Sequence, residues 1–426
     1  MFELEEGHRI LEKAIRQFVE KEIKPYVEAL DSGEILPYDL MRKMADAFGI
    51  RQMARQALEK LIEKEEKKKA SAEEEGEEKK SGREVGLGGL AQDPMMGAIL
   101  AKELSRVSPG FCLAFGASLG LCGFTIMRKG TPEQKRKYGI PVMTLEKIGC
   151  WALTEPESGS DAFALKTVAK PDGDGYVLNG QKMFATNAPY ADVFVVYARI
   201  VRKPEDYQDK RKIYPFVLER GIKGLTTSEP LKKMGMHASP TGIVYLDDVR
   251  VGKEHLLGGE EKESREQAKD VLMGERTGAP FMAWGIVERC LDDCIEYAIN
   301  RKQFGKSIAE FQLIQEKIAK IYILLENVKN LAFKQIWLQK HRKGTPEEFC
   351  AAKYYTSQAA VEAALEAIQL MGGYGYMKEY HIEMLMRDAK LLMIGGGTSE
   401  IQLLTIAKEL LRKKNFEITL SGEKAE

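Results

Sequence analysis

The sequence predicts an α+β protein in three consecutive parts: an all-helical N-terminal domain over residues 1–149, a middle antiparallel β domain over 150–262, and a C-terminal helical bundle over 263–426. Residues 1 to about 58 place apolar side chains at mixed three and four spacings, as in Ile10, Leu11, Ala14, Ile15 and Phe18, which puts one face of a helix on a core. At about Cys150 the period changes to two. Beyond about Ser264 it becomes helical again, with Ile314, Ile318, Ile321, Leu325, Val328 and Ala332 stepping four and three apart along one seam.

Each element follows in order. Residues 59–83 form a charged insert of Lys, Glu, Ala, Ser and Gly that has too little apolar surface to offset the entropy of ordering. It reads as a solvated helical extension or a disordered loop. From Asp93 to Tyr138 the helical pattern returns, rich in small apolar residues, and Gly130-Thr-Pro-Glu-Gln-Lys135 marks a helix start with Pro near its first position. In the middle part Tyr176 to Phe184 reads as two strands joined at Asn179-Gly180. Asp192–Ala198, Tyr214–Leu218 and Gly242–Leu246 add strands, and the domain ends near Gly258. Ala360–Leu370 and Ile401–Leu411 supply further bundle faces.

Composition narrows the function. The formal net charge is zero, so no electrostatic footprint points to nucleic acid or a membrane surface. The sequence shows no uninterrupted apolar run of spanning length, and its acidic start, Met-Phe-Glu-Leu-Glu-Glu, is unlike a secretory or transit peptide. Cys112, Cys122, Cys150, Cys290, Cys294 and Cys350 lie in mostly apolar surroundings, as expected for reduced core thiols in a cytoplasmic protein. With five histidines in the chain, no metal site is expected around the Cys290–Cys294 pair.

The chemistry concentrates at Arg387–Ile401, where a helix stops at Gly395-Gly396-Gly397 and another opens at Thr398-Ser399-Glu400. Glycines let the backbone press on a planar ligand and leave N–H groups free to donate. No Lys-Ser or Lys-Thr follows, which argues against a nucleotide P-loop. This run resembles the C-terminal flavin loop of the acyl-CoA dehydrogenases. Trp151-Ala-Leu-Thr-Glu-Pro-Glu-Ser-Gly-Ser-Asp161, Gly180-Gln-Lys-Met-Phe-Ala-Thr-Asn187, Arg301-Lys-Gln-Phe-Gly305 and Gln369-Leu-Met-Gly-Gly-Tyr-Gly375 resemble the same family in the same order.

The resemblance implies FAD, since no amino-acid side chain accepts a hydride. It assigns Trp151, Leu153, Thr154, Ser160, Phe184 and Thr186 to the flavin, and Thr398 and Glu400 also to the cofactor. It assigns Arg301, Phe304, Gln312, Gln369, Gly372 and Gly373 to the adenosine and pyrophosphate of a neighbouring subunit's FAD, in a homotetramer whose last domain is a four-helix bundle. Ser160, Arg276, Gly395 and Gly397 are assigned to the acyl-CoA substrate.

Most straight-chain members carry their catalytic Glu at the position that is Gly396 here, whereas the isovaleryl-CoA and long-chain types place it on the first helix of the last domain, before an Arg. The matching pair is Glu275-Arg276, so the resemblance makes Glu275 the α-proton base and leaves Gly396 as a backbone donor to the thioester oxygen. Gly395 stands where straight-chain enzymes hold a bulky Tyr, which points to a branched, alicyclic or aromatic acyl group. Electrons would pass to an electron-transferring flavoprotein. An oxidase using O2 and a non-redox flavin-binding member, a lyase or an assembly factor, are the alternatives. Asp93 is read as a loop cap, with a pocket acid or base as the other reading.

Overall fold

The computed structural model describes residues 4–75, 93–209, 212–261 and 265–416, without side chains at 68–75 and 265–276. Residues 76–83 of the charged insert lie outside the described residues.

The N-terminal part comprises α1 (Glu6–Phe18), α2 (Val27–Ser32), α3 (Tyr38–Ala47), α4 (Ile50–Glu75), α5 (Pro94–Val107), α6 (Pro109–Gly116), α7 (Phe124–Lys129), α8 (Pro132–Gln134) and α9 (Ile140–Met143). Helix α4 carries the apolar pattern straight into the charged insert. Its Leu58 and Ile62 are buried, and Glu59 and Glu66 pair with Arg136 while Glu65 pairs with Lys135. The first part of the insert is therefore helical, but docked through Ile62 and these ion pairs where a solvated extension or a disordered loop was expected. Asp93 caps α5: its carboxylate accepts from Met95 N–H at 2.9 Å and meets His8 Nε2 at 2.7 Å. That settles its reading in favour of the cap. Thr131 and Gln134 close a reciprocal capping box at the predicted helix start.

The middle part is one seven-stranded sheet: β1 (Gly149–Ala152), β2 (Val168–Asp172), β3 (Gly175–Thr186), β4 (Val193–Ile200), β5 (Ile213–Glu219), β6 (Leu225–Thr227) and β7 (Thr241–Gly252). It is mixed rather than antiparallel throughout. β1 and β2 both run parallel to β4, while β2–β3, β3–β7, β4–β5 and β6–β7 are antiparallel. The expected turn at Asn179-Gly180 is instead a bulge inside a continuous β3. Asn179 bonds Asp248 across the strand pair, through Nδ2 to Oδ1 at 3.0 Å and from Asp248 N–H at 2.9 Å, which keeps the chain extended. The reversal lies one step earlier, at Gly173-Asp174 between paired Asp172 and Gly175.

The last part holds α10 (Arg265–Asn300), a two-stranded ribbon β8 (Lys302–Gln303) and β9 (Lys306–Ser307), then α11 (Gln312–Lys340), α12 (Pro346–Met371), α13 (Ile382–Leu392) and α14 (Ser399–Arg412). Helix α12 is central, touching α10, α11, α13 and α14. Helices from both ends of the chain share one core, in which Met41, Leu58, Ile99 and Phe111 join Trp284, Val287, Val328 and Ala363. A second core lies within the sheet, and a third joins the sheet to the α7–α9 region through Ile126, Tyr138, Val195 and Tyr197. Pro109–Lys129 has the length and apolarity to cross a membrane, unlike the sequence expectation, but 72% of its apolar 18-residue stretch is buried inside the protein. All six cysteines are buried.

α5 crosses α10 at Gly285, where a Cβ would lie 2.2 Å from the Lys102 carbonyl oxygen, so only glycine permits this approach. Charges line the same seam. Glu103 accepts from Arg16 Nε at 2.8 Å and faces Lys102 Nζ at 2.9 Å, and Lys102 stands 4.9 Å over the Trp284 ring. Gly285→Ala should lower stability by about 2 kcal/mol or more, because two helix backbones must separate. Gly116→Ala, where nothing lies within 4 Å of the added carbon, should leave stability unchanged or slightly raised, as read by thermal denaturation of both variants.

Candidate functional site

The loop after β1 is fixed from beneath. Lys182, fully buried on β3, donates to Glu155 Oε1 at 2.7 Å and to the Leu153 carbonyl at 3.2 Å. Glu155 also accepts from Thr167 N–H at 2.9 Å, from the Thr167 hydroxyl at 2.5 Å and from Lys166 N–H at 2.5 Å. Burial pushes the Lys182 ammonium down to about 8, against the pull of Glu155. With four donors converging on the Glu155 carboxylate, this pair holds the Thr154–Asp161 loop in one shape. Neither residue was assigned a role from sequence.

Above that anchor lies a shelf. Register shifts between Lys182 and Ala185, Phe184 takes φ +58°, and its ring turns outward with 63% of its surface exposed. Thr154 and Thr186 are half-buried beside it, and their hydroxyls have no partner among the described residues. Leu153 is buried, Trp151 is half-buried edge-on to Tyr197, and Ser160 is exposed. An exposed aromatic face flanked by free hydroxyls suits a planar ligand bearing carbonyl and ring-nitrogen acceptors.

Just after β3 comes Asn187, buried in the left-handed conformation at φ +67°. Its amide donates to the Ala114 and Gly149 carbonyls at 2.9 and 3.2 Å and accepts from Tyr38 at 3.2 Å, tying the shelf to α3 and α6. Its own N–H donates to Pro240 at 2.7 Å. Residues 233–240 then reach α13, where Met236 N–H donates to the Asp388 carboxyl. Gly235 packs so closely that a Cβ would sit 2.6 Å from the Arg387 carbonyl carbon. Arg387 in turn binds Asp31 at 2.8 Å and Glu383 at 2.6 Å.

Seven residues after Asp388 comes the glycine run. Gly396 and Gly397 have φ +63° and +88°. The carbonyls turn inward: Lys353 Nζ donates to Gly395 and Gly397, and Gln402 Nε2 donates to Gly396 and Gly397 at 3.3 and 2.8 Å. The N–H groups of Gly396 and Gly397 have no acceptor among the described residues. Thr398 caps α14 by accepting from Ile401 N–H at 3.3 Å, and Glu400 is exposed in its first turn. Lys353 and Gln402 were also missed; a lysine at a core position between Ala352 and Thr356 was the available signal.

A second group of expected residues sits at the far ends of α10 and α12. Arg301 stacks over Tyr374 at 5.2 Å, and Phe304 is 92% exposed at the tip of the β8–β9 turn. Gln312, Gln369, Gly372 and Gly373 are exposed there as well. Glu275 and Arg276 lie on α10, with side chains outside the described residues.

Family models match most of the chain: acyl-CoA dehydrogenase N-terminal domain over 5–54 and 48–146, middle domain over 150–249 and C-terminal domain over 265–411. The chain belongs to the acyl-CoA dehydrogenase family. The family is one of FAD-binding oxidoreductases, and the shelf with its free donors fits that cofactor. The caffeyl-CoA reductase-Etf complex subunit CarC of Acetobacterium woodii is 34% identical over 412 residues, 96% of this chain and 99% of that one. Isovaleryl-CoA dehydrogenase of Arabidopsis thaliana is 35% identical over 331 residues, 77% of this chain and 79% of its own. Butyryl-CoA dehydrogenase of Megasphaera elsdenii superposes with a TM-score of 0.83 at 31% identity, covering 97% of this chain and 100% of that one.

Asp388 joins sheet to bundle in this acyl-CoA dehydrogenase, and its titration is measurable. Burial raises its carboxyl to about 7, against the opposing Met236 N–H and Arg387. Between its usual value near 3.8 and 7 the folded state binds more protons than the unfolded one, so this group's stabilisation is complete at low pH and is lost as pH rises through 7. Asp388→Asn should flatten the fall in stability between pH 4 and 7 by a few kcal/mol, read from denaturant midpoints at each pH.

Proposed function

We propose that the protein dehydrogenates a branched, alicyclic or aromatic acyl-CoA to its 2,3-enoyl-CoA and passes the electrons to an electron-transferring flavoprotein. The observation that carries this reading is Gly396: a backbone donor without an acceptor, on a residue without a side chain to act as base. FAD, when bound, accepts the β-hydride. The chain supplies the rest. The thioester oxygen accepts from Gly396 N–H, which stabilises enolate charge as the α-proton leaves. Glu275, from the start of α10, takes that proton, and Arg276 supports the CoA side; both roles follow from the resemblance. Exclusion of water by bound substrate raises a carboxylate toward neutrality and makes it an effective base.

Gly395 sets the acyl preference. A Cβ there would find only Leu391, at 3.6 Å and beyond, so the position has room that a ring would otherwise fill. CarC, a relative whose name specifies caffeyl-CoA, supports an aromatic acyl group, and its Etf complex supports the electron acceptor. The exposed Phe304, Leu313 and Tyr376 around Arg301 support a subunit interface completing a neighbour's FAD site in a homotetramer. The buried cysteines support a reducing, cytoplasmic setting.

Glu275→Gln should lower kcat by roughly 10² to 10⁴-fold while the purified protein keeps its flavin absorbance; full turnover in that variant refutes the base assignment. Gly395→Tyr should reduce kcat/KM for 3-phenylpropionyl-CoA and isovaleryl-CoA at least about tenfold more than for butyryl-CoA, because a ring then occupies the branch volume. Anaerobic mixing with each acyl-CoA, followed by flavin bleaching, reads both the acyl preference and the redox competence. Rapid reoxidation by O2 would replace the flavoprotein acceptor with an oxidase.

A further inference from the structure

We infer that Lys353 is a positioning residue that strengthens the oxyanion donor from behind, through the peptide bond it shares with that donor. The inference rests on the role proposed above for Gly396 N–H. The carbonyl of Gly395 and the N–H of Gly396 are two ends of one peptide group, and Lys353 Nζ donates to the carbonyl end. Hydrogen bonding at an amide's oxygen polarises the whole group and makes its N–H a better donor. The arrangement is directional. Lys353 is buried on α12 beneath the loop, while the N–H ends of Gly396 and Gly397 carry no acceptor among the described residues.

A second peptide is treated differently. The Gly396 carbonyl, which shares its peptide with Gly397 N–H, is held by Gln402 Nε2 at 3.3 Å, a neutral amide donor. The cation is thus placed on the peptide whose N–H faces the reacting carbonyl, and the neutral donor on its neighbour. Lys353 also donates to the Gly397 carbonyl, so one ammonium spans the loop and fixes its width. A charged donor on a buried carbonyl is stronger than a neutral one, and its effect grows as charge accumulates on the ligand oxygen. Lys353 therefore favours an enolate over a neutral thioester at the same site.

The test compares two ligands in the flavin-loaded holoenzyme. Acetoacetyl-CoA can bind as an enolate, which shows a long-wavelength charge-transfer band with oxidised flavin; crotonyl-CoA binds neutral. Lys353→Met should weaken acetoacetyl-CoA binding by about tenfold or more and crotonyl-CoA by less than about threefold, with loss of the charge-transfer band and a lower kcat at little-changed KM. Lys353→Arg, which keeps a cation, should restore most of the band. If Lys353→Met does not fold, Lys353→Gln keeps a neutral donor there and should show the same selective loss. Equal weakening of the two ligands, or no weakening of either, overturns the role of Lys353 and leaves the proposed reaction standing. A wild-type holoenzyme that binds acetoacetyl-CoA without any enolate band overturns the assignment of Gly396, and the inference with it.

Discussion

Where the glycine run sits relative to the sheet depends on the packing of residues 234–237 against α13, centred on the Met236 N–H donated into the buried carboxyl of Asp388 and joined by Arg387 donating to the Met234 carbonyl at 3.3 Å. The sheet has its own core, while Met236 and Ala238 of the middle part enter the core of the bundle; apolar packing of two side chains brings the parts together but sets no direction. The hydrogen bond supplies direction, and Gly235 supplies closeness, since any side chain there would strike the Arg387 backbone. Around this point Asp31 brings in the N-terminal helices through Arg387 and His237, at 2.8 and 3.1 Å. Three parts of the chain therefore meet beside the first residues of the motif that ends in the glycines.

The same logic recurs wherever a loop must be held. Buried charges are costly unless their hydrogen bonds are complete, yet Glu155 with Lys182 sits under the Thr154 loop, and Lys353 sits under the glycine run. An apolar side chain at either place would fill space without orienting a carbonyl. A carboxylate or ammonium held by several hydrogen bonds at once has few favourable arrangements, and these set which way each peptide points. Asn187 does this without charge, because its left-handed backbone and primary amide serve three elements at once.

Periodicity revealed the three-part order and the long bundle helices, since a seam such as Ile314 to Ala332 admits one reading. It could not reveal that β1 and β2 run parallel to β4, because strand direction depends on connections through space and not on alternation. Asn179-Gly180 suggested a turn, but the same two residues serve a bulge when a partner strand offers Asp248 to the Asn side chain. Strand β2 went unread because Lys170, Pro171 and Asp172, all exposed, break any apolar alternation in a strand that lies between β4 and β3. The site motifs were legible as loops, while their supports Glu155, Lys182, Lys353 and Gln402 were not. A buried lysine looks like any other lysine until its helix face is known.

These supports bear on how a catalytic side chain can leave a loop without abolishing the site. The Gly396 donor belongs to the backbone, and the carbonyls that aim it are gripped by Lys353 and Gln402 from α12 and α14. None of those bonds involves a side chain at 395, 396 or 397. Residues in the run can then be reduced to glycine, widening the space beside the loop, while the peptide proposed to meet the thioester keeps its direction. Acid–base chemistry is separable from carbonyl recognition in such a loop, and the proton can be taken from a different helix. The tolerance has a geometric limit: it holds only while the carbonyl side of the run remains fully bonded, since an unanchored triple glycine would lose its conformation to entropy.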